Sequence, residues 1–130
     1  MTALIDTSAW IAYLRDDDGE SADAVEALLA AGSAVITDQV ILELLAGAKD
    51  DQDLHRLNRL VASVGYEAQE TPHDAELAAG LYISCRRAGE TPRSLGDCLI
   101  GAVAVRTGLP VLQQDRDFHV LARHAGLKLA

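Results

Sequence analysis

A short apolar run, Ala3, Leu4 and Ile5, stops abruptly at Asp6, and Thr7 and Ser8 follow as residues able to cap a helix. A strand that ends in an acid and turns at once into a helix restricts the fold strongly. In an open parallel sheet, the edge outside the carboxyl ends of the strands is where ligands bind. The same pattern recurs along the chain. Residues 33–37 read as a second strand, 66–70 as a third with edge-like alternation, 110–113 as a fourth and 127–129 as a last short one. Helical spacing lies between them: Trp10, Tyr13 and Leu14; residues 20–31, closed by Gly32; Val40 to Ala46, capped by Thr37 or Asp38; and Leu54 through Val64. Thr71 and Pro72 mark the cap and first position of a helix reaching Gly89. An apolar helix from Cys98 to Val105 closes at Gly108, and a last one runs from Gln114 to about Ala125. The expectation is a three-layer α/β/α domain over residues 1–130 with a small, mostly parallel sheet of four to five strands.

Composition fits this. The chain is 49% apolar but only 4% aromatic, which favours helices packed on a small sheet. No apolar run is long enough for a membrane span, and the N-terminus lacks the basic and apolar segments of a signal peptide, so a cytoplasmic location is expected. Cys85 and Cys98 form no CxxC pattern and read as buried free thiols. Asp16, Asp17 and Asp18 lack the alternating acids and closing Glu of a calcium loop and read as a solvated turn. The net charge of −9 is unevenly spread. Residues 1–76 carry sixteen acids against four bases, whereas residues 77–130 carry four acids against seven bases. Arg86, Arg87, Arg93, Arg106, Arg116, Arg123 and Lys128 are therefore expected to form a positive surface around an acidic centre.

That centre is drawn from acids with unusual contexts. Asp6 ends the first strand, Glu43 interrupts an apolar helix, Asp97 stands near a helix start and Asp115 lies just past the fourth strand, with Asp117 beside it. Strand ends and the helix starts beyond them share one edge of a right-handed parallel fold, so these acids can meet. Two carboxylates ~4 Å apart repel by about 4 kcal/mol at an effective dielectric near 20, so the cluster requires protonation or a cation. An oxygen-only donor set selects hard ions, Mg²⁺ with Mn²⁺ as a substitute, which activate water and neutralise a leaving oxygen in phosphodiester hydrolysis. Each acid also has a purely structural reading. Ser94 and Asp97 fit a capping box, Asp6 and Asp117 fit helix caps, and Asp115 fits a turn.

Four segments, Leu4-Ile5-Asp6-Thr7-Ser8-Ala9-Trp10-Ile11, Glu43-Leu44-Leu45-Ala46-Gly47, Asp97-Cys98-Leu99-Ile100-Gly101-Ala102 and Asp115-Arg116-Asp117-Phe118, resemble in order and spacing the motifs of PIN-domain ribonucleases, specifically VapC-type toxins. The resemblance spans nearly the whole chain. It implies a PIN-like fold and Mg²⁺-dependent cleavage of RNA to 5′-phosphate and 3′-hydroxyl ends. It matches Asp6, Glu43, Asp97 and Asp115 to the acidic site, with Asp6, Asp97, Asp115 and Asp117 toward the metal and Thr7 and Ser8 as hydroxyl support. It further implies a homodimer and a VapB-type antitoxin whose tail covers the site, with Trp10, Tyr13 and Leu14 as candidates for the receiving groove. Arg86, Arg87 and Arg93 are the candidates for RNA backbone contacts. One departure stands out: Gln113 and Gln114 occupy positions where many relatives carry Thr or Ser and Asn.

Other classes fit less well. A phosphoacceptor receiver domain needs an Asp ending a mid-chain strand, and residues 66–70 supply none. A haloacid-dehalogenase-like phosphatase needs a second Asp two residues after the first, where Ser8 stands. A metal-independent ribonuclease would rest on His119 and His124 as an acid–base pair. The non-enzymatic alternative is a PIN-like module that binds RNA or protein without cutting.

Overall fold

The computed structural model describes residues 1–130. Strand β1 (Ala3–Ile5) leads into α1 (Thr7–Leu14) and α2 (Glu20–Ala30), β2 (Ala34–Thr37) into α3 (Asp38–Ala46) and α4 (Asp51–Ser63), and β3 (Gly65–Glu67) into α5 (His73–Arg87) and α6 (Leu95–Thr107). Strand β4 (Val111–Leu112) and α7 (Arg116–Ala125) complete the order. The four strands form one sheet in the order β3-β2-β1-β4, and every pairing is parallel.

This order has a chemical consequence. The chain moves outward from β1 to β2 to β3, then returns across the sheet to place β4 on the other side of β1. Right-handed crossovers therefore put α1 to α4 on one face and α5 and α6 on the other. α1 packs on α2 and α3, while α5, α6 and α7 pack together, which gives the three-layer α/β/α architecture. The strand order reverses between β1 and β4, and the crevice at such a switch point opens at the carboxyl ends of the strands. Asp6 follows β1 directly and Asp115 lies three residues after β4.

Burial explains why the strand sequences are so plainly apolar. Ala3, Leu4 and Ile5 are inaccessible to solvent, as a strand covered on both faces must be. Trp10 is also fully buried, with its ring edge-on to Tyr13 at 6.3 Å, so it belongs to the core and cannot line an open groove. Cys85 and Cys98 are buried free thiols.

Three sequence-based boundaries shift. The third strand occupies Gly65–Glu67 instead of residues 66–70. Gly65 permits the approach to β2, since a Cβ there would lie 3.1 Å from the Ala34 carbonyl oxygen. Beyond Glu67 the backbone is claimed by side chains: Arg106 donates to the Ala68 carbonyl, and the Glu70 N–H donates to Asp74. The expected last strand at 127–129 reduces to one bridge between Val111 and Leu129, because β4 offers only two residues to pair with. Pro72 is the cap of α5, not its first residue.

Candidate active site

Asp6 does two things at once. Its Oδ2 caps α1 by accepting the Ser8 N–H at 3.0 Å and the Ser8 hydroxyl, while its Oδ1 is buried with no hydrogen-bond partner. Burial pushes its carboxyl above the usual range; the Ser8 hydrogen bonds oppose this, and the Glu43 charge adds to it. Ser8 also accepts the Gln114 N–H at 2.9 Å, which ties the exit of β4 to the start of α1.

Asp97 comes from the first turn of α6, where Ser94 caps the helix by accepting the Asp97 N–H. Carboxylate oxygens of Asp97, Asp115 and Asp117 all lie within 4.8 Å of one another. Asp97 is only 8% exposed, and burial is the main reason its carboxyl is pushed up to about 8. A hydrogen bond shared with Asp117 and the charges of Asp6, Asp115 and Asp117 act in the same direction. Asp117 behaves oppositely. Burial would raise it, but the Arg93 and Ser94 N–H groups and the proton held by Asp97 outweigh burial, so it is lowered. Asp117 thus accepts backbone N–H groups at 3.0 Å and clamps the entry to α6, a role that neither the ligand nor the helix-cap reading of the sequence contained.

Asp115 caps α7 by accepting the Asp117 N–H at 2.9 Å, and Gln113 Oε1 accepts the Asp115 N–H at 2.7 Å. Gln113 and Gln114, the departure noted in the sequence, therefore both support this edge. Arg93 stands at the rim, 3.5 Å from Asp115 and 3.7 Å from Asp117. Arg86 and Arg87 lie exposed in the last turn of α5, and neither pairs with a carboxylate. Arg86 instead sits over the Tyr82 ring.

Glu43 sits outside the trio and is held by neutral donors. The Thr7 hydroxyl donates to Oε1 at 2.6 Å and Gln39 Nε2 to Oε2 at 2.8 Å. Gln39 and Gly96 were missed in the sequence, although Gln39 precedes Glu43 by one helical turn. Gly96 is where α6 passes α3: a Cβ there would meet Gln39 Nε2 at 2.9 Å and Glu43 Oε2 at 3.2 Å. Those atoms end flexible side chains and can yield. Gly96→Ala should therefore leave the melting temperature nearly unchanged while displacing Glu43, and any reaction that uses Glu43 should slow on the order of 10- to 100-fold. An unchanged rate would mean Glu43 needs no fixed position.

The positive surface expected of the second half is largely consumed. Arg106 pairs with Asp74 and Glu70, Arg123 with Glu90, and Arg93 and Arg116 with the acids of the site. His119 contacts Gln113 and His124 contacts Glu90, so the two histidines are held apart by different partners.

Asp97, Asp115 and Asp117 form an all-oxygen donor set with neither Cys nor His, and Asp6, whose charge reaches Asp97, adds an unpartnered Oδ1 that is a buried acceptor lacking a counter-charge. Such a set fits a hard divalent cation.

Residues 3–124 match the PIN domain model. Ribonuclease VapC11 of Mycobacterium tuberculosis is 42% identical over 129 residues, covering 98% of this chain and 96% of the relative. Ribonuclease VapC28 of the same organism is 32% identical over 98% of this chain and 96% of its own length. Among solved structures, VapBC2 of Rickettsia felis, bound to a DNA fragment from its promoter, aligns with a TM-score of 0.78 at 18% identity over 100% of this chain and 98% of that one. M. tuberculosis VapC20, described as a sarcin–ricin loop cleaving toxin, aligns with a TM-score of 0.63 at 21% identity over 98% and 99%. The chain belongs to the PIN-domain family, as a VapC-type member.

Proposed function

We propose that the chain is a metal-dependent endoribonuclease, the toxin of a toxin–antitoxin pair, acting in the cytoplasm on single-stranded RNA. The observation that carries this reading is the buried carboxylate group at the β1/β4 switch point, including an Asp6 oxygen with no partner. The full-length likeness to proteins named VapC ribonucleases supports it.

Asp6, Asp97 and Asp115 would hold Mg²⁺ or Mn²⁺ or its waters, with Asp117 anchoring Asp97 and contributing charge. A bound ion of this kind makes water acidic and neutralises the leaving oxygen. Glu43 orients the attacking water and takes its proton, its two oxygens aimed by Thr7 and Gln39. Ser8 fixes Asp6 in the geometry that frees Oδ1. Hydrolysis of this type leaves 5′-phosphate and 3′-hydroxyl ends. Arg93 at the rim faces the incoming phosphate.

A VapB-type antitoxin is the proposed inhibitor, by analogy with neighbours solved as toxin–antitoxin complexes. With Trp10 buried, the apolar part of its groove falls to Ile11 and Leu14, beside Glu43. A homodimer is supported by Leu42 and Leu95, large apolar side chains left 62% and 68% exposed.

The test incubates total cellular RNA with antitoxin-free protein in Mg²⁺, in Mn²⁺ and in EDTA, with product ends mapped. Cutting that needs the ion and leaves 5′-phosphates is expected. Cyclic-phosphate ends would return attention to His119 or His124, and no cutting in either ion would leave a binding module.

A further inference from the structure

Two adjoining cavities form one furrow leading away from the site. The first, of about 420 Å³, begins at Glu43 and is floored by Ile11, Leu14, Leu44 and Leu57. The second, of about 430 Å³, continues along α4 to Arg59 and has no apolar residue in its lining. Lys49, Asp53 and Arg56 belong to both.

The charges along this furrow are not random. All four bases among the first 76 residues, Arg15, Lys49, Arg56 and Arg59, line it, although sixteen acids share that part of the chain. The acids present are already engaged. Asp50 caps α4 by accepting the Asp53 N–H, and Asp53 accepts the Lys49 N–H and pairs with Arg56. The Lys49 N–H, and after it the Arg56 hydrogen bond, hold the Asp53 carboxyl below the usual carboxylate range. Arg15, Lys49 and Arg59 take part in no ion pair. Most arginines of the basic half, by contrast, are paired.

We propose that this furrow carries the backbone of single-stranded RNA to the carboxylates, with Arg15, Lys49 and Arg59 holding phosphates and the apolar floor receiving bases. The assignment rests on the ribonuclease reading and replaces the basic second half as the principal RNA surface. A bound peptide would be held by apolar burial along its length, and the α4 half of the furrow offers none. What binds there is held by charge. Lys49 lies before α4 and Arg59 in its third turn, and the helix alone rises about 12 Å from Asp51 to Arg59, so the two cations span more than one phosphate. A chain with net charge −9 repels a polyanion elsewhere; Arg86 and Arg87 are unpaired too but line neither cavity, whereas Arg15, Lys49 and Arg59 line the furrow that begins at Glu43.

The test measures binding of a fluorescein-labelled single-stranded RNA by anisotropy in EDTA, across a salt series. Proteins compared are wild type, Lys49→Gln/Arg59→Gln, and Lys128→Gln, which removes a cation from the amino end of β4. The double variant should bind about tenfold more weakly, and its log-affinity slope against log salt should fall by about 1.4, at roughly 0.7 per phosphate contact. Lys128→Gln should bind within about twofold of wild type. In Mg²⁺, the double variant should raise KM and keep kcat. Equal binding by the double variant and wild type overturns the proposal, as does equal weakening by Lys128→Gln. So does loss of binding to a labelled oligoglutamate peptide with RNA binding unchanged. Because binding is read in EDTA, a protein that never cuts but loses RNA in the double variant supports the furrow while sinking the nuclease reading. One that cuts with unchanged KM does the reverse.

Discussion

Asp97→Asn should eliminate cleavage, by at least about 100-fold given what even outer-shell ligand losses cost, and in EDTA at pH 8 it should stabilise the protein. Both effects come from one cause. The Asp97 carboxyl is raised from 3.8 to about 8 by burial and then by its acidic neighbours. The folded state therefore holds a proton there that the unfolded chain has released. The stability linked to this group is complete below about pH 4 and is lost as pH rises toward 8, at up to about 1.4 kcal/mol per unit. Asn carries no charge and can still donate to Asp117, so it should recover about 2 kcal/mol at pH 8 and flatten this slope. Below pH 4.5 the sign reverses for both proteins. Glu90, lowered to about 2 by Arg123 and His124, and Asp74, lowered mainly by Arg106, lose their stabilisation as they are protonated. Metal should stabilise the wild type by mass action and not the variant. Thermal melts across pH with and without Mg²⁺ check this. A less stable Asp97→Asn in EDTA at pH 8, or one that cuts normally, would remove Asp97 from the site.

Arg106→Met should lower stability by about 3–5 kcal/mol, the range for removing one partner of a buried ion pair, or on the order of 10–20 °C in melting temperature. Asp74 is completely buried on α5, and Arg106 on α6 is its only cationic hydrogen-bond partner, through two contacts of 2.8 and 2.9 Å. The same guanidinium holds the Ala68 carbonyl, so its loss also frees the segment after β3. The sheet edge and the α5–α6 pair are secured by one side chain. Asp74→Leu/Arg106→Met should recover much of the loss, because no buried charge is left alone. The defect of the single variant should shrink as pH falls and Asp74 takes up a proton. A single variant within 1 kcal/mol of wild type, measured by urea unfolding, would show the pair to be dispensable.

The acids of the site were legible because each breaks a local rule. Asp6 stops a strand, Glu43 interrupts an apolar helix face, Asp97 follows a helix start by one turn and Asp115 comes just past the last strand. The alternating order of strands and helices was legible for the same reason, since buried parallel strands read as uninterrupted apolar runs. What escaped depends on partners distant in sequence. Nothing near Arg106 announces Asp74, 32 residues away, so a composition count treated it as free surface charge. Asp117 was placed toward the metal, with a helix cap as the structural alternative; its ties to Arg93 and Ser94 were out of reach because they cross 23 or 24 residues. Trp10 sits on an apolar helix face that could as well have faced a partner; only the packing of α1 against α2 and α3 decides it. The third strand ended early because long-range side-chain contacts took its backbone groups, which alternation cannot reveal.

The position of β1 governs when this protein can become active. β1 is flanked by β2 and β4, and the Ser8 hydroxyl meets the Gln114 N–H across 106 residues of chain. Asp6 is made long before β4, and the crevice beside it has no second wall until β4 is in place. A chain that lacks β4 therefore cannot close the crevice that brings Asp6 to the acids beyond β4. Closure of β1 against β4 depends on such distant contacts that it belongs late in folding as well.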